Sequence, residues 1–212
     1  MAFRSSTNAT STGTTSISVN KPAGTVDGDV LVTGLIHGST ATLTPPSGWG
    51  AALYASGAFG AGRILTVYSK VASGEPASWA WGLSTSVGVV VEVCCLSGRA
   101  SATPDASNGQ TNASSTSVTA PSISPSNSTD DLVGFFGVDA NTTFTPPGTM
   151  TEREDASAAA ANRALELATE VLAASGATGT RVATAGSAGA NAGWLGAFTT
   201  IGSSVSLLVA CP

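Results

Sequence analysis

Charge is scarce in this chain. Asp, Glu, Lys and Arg make up 10% of its 212 residues, against about 25% in a typical soluble domain. The eight Lys and Arg are scattered and outnumbered by 13 Asp and Glu, for a formal net charge of −5. There is no basic stripe and no interleaving of basic with aromatic residues, which argues against nucleic acid as a partner. Histidine occurs once, as His37, and cysteine three times, as Cys94, Cys95 and Cys211. Three cysteines make no disulfide framework, and one histidine makes no zinc cluster. Adjacent cysteines on a strand point to opposite faces, so Cys94 and Cys95 read as small hydrophobes. Long apolar runs are missing too. The longest, such as "VGVVVEVCCL", are strand-sized and too short to span a membrane. The opening "MAFRSSTNATSTGTTS" has no hydrophobic signal segment, so the expectation is a protein made and left in the cytosol, or released by lysis.

What is present is apolar enough for a core. Hydrophobic residues reach 42%, which excludes the low-hydrophobicity, high-charge signature of disorder. The remainder is rich in Ser, Thr, Gly, Ala and Asn. A neutral hydroxyl surface of this kind suits a protein packed among copies of itself, or an extracellular β-protein. Residues 1–16 read as a polar N-terminal arm, extended or loosely held. Beyond it come short segments of period-two alternation: "SISVNKP", "DVLVTGLIHG", "GRILTVYSKV", "PASWAWGL" and the β-prone "VGVVVEVCCLSG". "AGTVDGD" is a turn in which Asp27 and Asp29 cap backbone amides, and calcium there is a minor alternative.

The chain repeats itself. "TLTPPSGW" at Thr42–Trp49 returns as "TFTPPGTM" at Thr143–Met150. Sliding by 101 residues superposes 29–49 on 130–150 with seven identities: Asp29, Leu31, Val32, Thr42, Thr44, Pro45 and Pro46. With small changes of offset, "SVNKP" matches "SVTAP" and Ser73-Gly74 matches Ser175-Gly176. The half-repeats span about 17–99 and 116–212 within one domain, 17–212. The repeat also decides Ala156–Gly176. Its Ala, Leu and Glu favour helix, but Ala164–Val171 occupies the slot of "RILTVYSK" and alternates at period two. We therefore expect a strand there, preceded by an Ala-rich loop, and a last strand at "VSLLVAC". The predicted fold is all-β, a jelly-roll-like β-sandwich with an internal pseudo-two-fold repeat. Trp49, Trp79, Trp81, Phe135, Phe144, Trp194 and Phe198 are its core or sheet-rim candidates. Two consecutive prolines cannot continue a central ladder, so the double-proline motif reads as a pair of equivalent corners.

Catalytic chemistry finds no footing in the sequence. A Ser-His-Asp apparatus would need His37, which sits between an apolar run and Gly38, and no G-x-S-x-G elbow is present. The candidate carboxylates Asp27, Asp29, Asp139, Glu152, Glu154 and Asp155 read as turn and loop residues rather than a hydrolytic pair. The glycines of 57–62 lack the Lys and Ser/Thr of a phosphate loop. The N-x-[ST] sequons at Asn8, Asn112, Asn127 and Asn141 follow from composition. No catalytic residue, metal ligand or cofactor is assigned.

The run of "SISVNKPAGTVDGDVLVTGL", "TLTPPSGW", "LTVYSKVASGEPASWAW" and "VVVEVCCLSG" resembles a β-sandwich module of tailed bacteriophages and prophages. The resemblance continues through "DDLVGFFGV", "TPPGTM" followed by Glu152-Arg153, and "ASGATGTR", and covers roughly Phe3–Val209. It implies a non-enzymatic virion structural protein, in the first place a capsid decoration (cement) protein. Its partners would be the major capsid protein and copies of itself, as a trimer at three-fold positions. Phe3 and Arg4 in the arm, with Glu152 and Arg153 in "TERED", are the interface candidates. The alternative is a tail- or fibre-associated adhesin that binds host-surface carbohydrate. It would need exposed aromatics, with Trp49, Trp81 and Trp194 as the candidates.

Overall fold

A computed structural model describes residues 3–201. The first half of the chain forms β1 (Phe3–Asn20), β2 (Val30–Gly38), β3 (Leu43–Thr44), β4 (Tyr54–Ala55), β5 (Arg63–Val71) and β6 (Ser78–Leu96). The second half forms β7 (Ala106–Ala120), β8 (Asp131–Val138), β9 (Phe144–Thr145), β10 (Thr151–Ala158), β11 (Arg163–Val171) and β12 (Arg181–Phe198). They make two antiparallel six-stranded sheets. One runs β1-β6-β2-β5-β4 with β3 on β6, the other β7-β12-β8-β11-β10 with β9 on β12. The expected β-sandwich is present. Each sheet is drawn from one half of the chain, a division that the jelly-roll expectation does not describe. The expected strand "VSLLVAC" and Cys211 lie outside the described residues.

The N-terminal arm is corrected. Phe3–Asn20 is one long strand, paired with β6 from Phe3↔Leu96 to Asn20↔Ser78. Its Ser and Thr side chains carry little hydrophobic signal, so composition alone left it as an arm, extended or loosely held, rather than a paired strand. Thr favours extended backbone, and β6 supplies the backbone partners. Only Ile17 and Val19 of this strand are buried.

Strand register recurs between the sheets. Val30↔Leu96 and His37↔Val89 on β2 and β6 correspond to Asp131↔Phe198 and Val138↔Asn191 on β8 and β12. Leu43↔Leu83 corresponds to Phe144↔Ala185, and Ile17↔Trp81 to Val118↔Ala183. The last pair corrects one alignment. Ile17 takes the place of Val118, so the letter match of "SVNKP" to "SVTAP" is two residues out of register. The double-proline corners are alike: Trp49 N–H donates to Pro46 O at 3.2 Å and Met150 N–H to Pro147 O at 2.7 Å. Trp49 and Met150 are both buried beneath their corners.

Ala164–Val171 is a strand, as its alternation predicted. The segment before it carries β10 and a single 3-10 turn at Ala159–Ala161 rather than a flexible loop. Helix propensity loses because β11 lies between β10 and β8 and gains a ladder on each side. Three apolar clusters result. Val32, Ile36, Leu65 and Cys94 meet Phe135, Leu165, Trp194 and Phe198 between the sheets. Within the first half, Ile17, Val19, Trp79 and Trp81 pack on Leu31, Leu35, Tyr68 and Val91. Within the second, Val118, Ala183 and Ala185 pack with Leu132, Phe136 and Ala164. The long ribbons β1–β6 and β7–β12 each lose register midway, between Ser11 and Ser16 and between Thr184 and Asn191. Such irregularities bend a strand.

Candidate functional site: open edge strands and the seam between the halves

The sheets stack with opposite order. Ser6 Oγ donates to Arg153 O at 3.1 Å, and Asn8 Nδ2 donates to Glu154 Oε2 at 2.6 Å, so β1 lies over β10. On the other side Gly109 of β7 lies against the Tyr54 ring of β4, where a Cβ would overlap it. The long edge strands β1 and β7 therefore occupy opposite sides of the sandwich. Each is paired on one side only among the described residues. β1 contains one charged residue, Arg4, and β7 none, and neither contains proline. Natural edges are usually blunted by Lys, Pro or short length. These two keep a row of backbone donors and acceptors flanked by exposed Thr10, Thr12, Thr111 and Thr116.

Three of the four interface candidates are engaged within the chain. The Arg153 guanidinium lies 3.9 Å from the centre of the Phe3 ring, a cation–π contact across the seam. Arg4 binds Asp29, with Nε 2.8 Å from Oδ2 and Nη2 donating to Oδ1 at 3.0 Å. Glu152 is exposed. The seam is closed further by Arg63–Asp139 at 3.0 Å and Arg99–Asp131 at 3.1 Å. The Arg163 guanidinium also donates to Gly88 O.

The carbohydrate candidates are corrected. Trp49 is 4% exposed, and Trp81 and Trp194 are 0% exposed. Trp49 packs edge-on to Trp79 at 5.4 Å and tilted on Trp81 at 5.3 Å, and Trp194 lies 6.2 Å from Phe135. None presents a ring to solvent, so the adhesin reading loses the platform it needs. His37 is likewise buried, with Nδ1 3.0 Å from Gly38 O and Nε2 3.3 Å from Thr66 Oγ1. Burial lowers its pKa. The turn aspartates cap amides as expected: Gly74 N–H donates to Asp27 Oδ1 at 2.8 Å, and Val26 N–H to Asp29 Oδ2 at 3.0 Å.

Two buried carboxyls escaped sequence reasoning. Glu92 and Glu166 are both fully buried; Glu166 has no hydrogen-bond partner on either oxygen, and the Ala156 backbone N–H is the one donor that acts on Glu92 among the described residues. Glu92 shares the inter-sheet face of β6 with Val90 and Cys94. Burial first, then Glu154, Asp155 and Glu166, holds it well above the usual carboxylate range. Glu166 faces Asp155 across the β10–β11 ladder. Burial, with Glu152 and Asp155, pushes it up to about 8. The sequence signal for Glu166 was a Glu within an Ala-Glu-Ala alternation, which reads equally as a solvent face, and for Glu92 a lone Glu inside the apolar run "VGVVVEVCCL". No cavity opens onto either group among the described residues, so neither is placed to reach a substrate. No cluster of three or more His, Cys, Asp or Glu with metal-holding geometry occurs among them either. Compared with protein-family models, with curated proteins and with solved structures, the chain matches none.

Proposed function

We propose that the chain is a non-enzymatic structural protein of a bacteriophage particle, which docks on the major capsid lattice as a decoration protein. The observation that carries the reading is the pair of open, nearly uncharged edge strands on opposite sides of one body. Exposed edges accept a further strand from another chain, with backbone hydrogen bonds supplying affinity. Few charges need be desolvated in such a contact. Edges on both sides let one copy bridge two neighbours, and weak contacts repeated over a lattice add through multivalency. The sequence resemblance to tailed-phage modules supplies the identity of the lattice. The docking elements are the edge strands β1 and β7 rather than a free arm.

The test is binding of the purified chain to capsids that lack it, read by co-sedimentation and by density in a particle reconstruction. The double variant Thr111→Lys/Thr116→Lys places cations along β7 without touching a core residue. Capsid association that falls at least tenfold in this variant, with unchanged unfolding, is the expected result. Wild-type chain that stays in the supernatant, or that locates to the tail, overturns the reading.

A further inference from the structure

Asn108-Gly109 is the one Asn-Gly step in the chain, and it lies in the open edge strand β7. Every other asparagine precedes a residue with a side chain. Asn108 is exposed. Gly109 N–H donates to Asn108 Oδ1 at 2.9 Å. The asparagine side chain is thus folded back along its own strand onto the nitrogen of the next residue. A backbone N–H only donates, so the carbonyl end of the side-chain amide, not its NH₂, is the end that meets it.

Packing requires the glycine. A Cβ on Gly109 would lie 2.5 Å from Cζ of the Tyr54 ring. The same lack of a Cβ leaves the Gly109 nitrogen uncrowded. Asn108 pairs with Leu195 and Gly109 with Trp194 on β12, and β7 has no second strand partner among the described residues. Segments with few neighbours are among those that open locally. Asp27-Gly28 has the same covalent pattern in a different setting. Gly28 N–H donates to Ala72 O at 2.9 Å, and Gly74 N–H donates to Asp27 Oδ1 at 2.8 Å. There the nitrogen and the side chain are each held by other groups, whereas in β7 they hold each other.

We propose that Asn108 is a self-modification site, at which the Gly109 nitrogen closes on the side-chain carbonyl carbon and converts the asparagine to aspartate and isoaspartate. One bond separates Cγ from the oxygen that Gly109 N–H already contacts, so a side-chain rotation brings Cγ to the roughly 3–3.5 Å of a near-attack conformer. Water takes the Gly109 N–H proton. The nitrogen bonds to Cγ, the Cγ–Nδ2 bond breaks, and Nδ2 leaves as ammonia with that proton returned to it. The product is a succinimide ring. One water then opens it, at Cγ to give aspartate or at the Asn108 main-chain carbonyl carbon to give isoaspartate. One water is consumed, one ammonia is released, and nothing is oxidised or reduced. β7 has no charged side chain, and either product gives it a carboxylate. Isoaspartate also adds a carbon to the backbone, which interrupts the ladder to Leu195 and Trp194 as a bulge does. The reaction needs no partner chain.

The test is incubation of the purified, folded full chain at neutral and mildly alkaline pH, followed over time by peptide mapping in a mass spectrometer and by an isoaspartate assay. The Asn108 peptide is expected to gain aspartate and isoaspartate roughly tenfold or more faster than any other asparagine peptide, and faster as pH rises. The intact chain is expected to move to a more acidic ion-exchange peak at the same rate. Asn108→Gln must close a larger ring, and is expected to lose the shift at an unchanged unfolding midpoint. The same incubation in guanidinium chloride gives the rate of the step without the fold. No conversion at Asn108 in the folded chain overturns the proposal, and conversion in the unfolded chain alone names packing as the reason. Aspartate without isoaspartate also overturns it, as does an acidic shift that persists in Asn108→Gln.

Discussion

Replacing Glu166 by Gln should remove a large part of the pH dependence of folding. Glu166 lies on the central strand β11, fully buried, opposite Asp155 and beside Phe136 of β8. An ordinary glutamate carboxyl titrates near 4.5, and burial holds this one up to about 8. Below pH 4.5 both folded and unfolded chains carry the proton, and the group costs nothing. As pH rises from 4.5, the unfolded chain releases it while the folded chain does not, so the folded state loses ground. At about 1.36 kcal/mol per pH unit the loss reaches about 3 kcal/mol at pH 7 and levels off above pH 8. Glutamine has nearly the same shape and cannot ionise. Its amide meets the same lack of partners as the neutral acid, so it adds no comparable new penalty. Urea unfolding followed by the fluorescence of the buried tryptophans, at pH 4.5, 6, 7 and 8.5, compares the two proteins. Glu166→Gln should match the wild type at pH 4.5 and exceed it by about 3 kcal/mol at pH 7. Parallel pH profiles for the two proteins would refute the reasoning.

Two further substitutions probe the backbone and the core. Thr129 has φ 70°, a left-handed conformation that costs a β-branched residue, and the equivalent Gly28 has φ 91°. Thr129→Gly should stabilise by roughly 0.5–1 kcal/mol after the added freedom of the unfolded glycine is counted, read as a higher urea midpoint at unchanged slope. A Cβ on Gly34 would overlap the Phe135 ring of the facing sheet. Gly34→Val should therefore cost roughly 1–3 kcal/mol or more by overpacking, and Gly34→Val/Phe135→Leu should recover part of it in the same assay.

The legible part of the fold was local. Alternation in "RILTVYSK" marked β5, and the same period over Ala164–Val171 marked β11 against its helix propensity. The double prolines marked two corners, because a residue without an N–H cannot extend a central ladder. The candidate site was less legible. Phe3 and Arg153 were both singled out, yet nothing within either segment says that they meet each other across 150 residues of chain. Arg4 looked available for a partner, and its partner is Asp29.

The sequence by itself determined that this is an all-β chain with Gly/Pro turns and a motif used twice, because periodicity and backbone chemistry act within a few residues. Tertiary structure decided what those strands face. Alternation says which side chains share a face, and only the layers packed on that face say whether it is wet. Packing buries Trp49, Trp81 and Trp194 and leaves Glu92 and Glu166 without water, and pairing with β6 makes Phe3–Asn20 an edge strand. Packing also sets Asp105 beside Asp130 in the second half, where the first half sets Arg4 against Asp29. The 101-residue offset aligns Arg4 with Asp105 and Asp29 with Asp130, and only the packed structure shows what each of them faces.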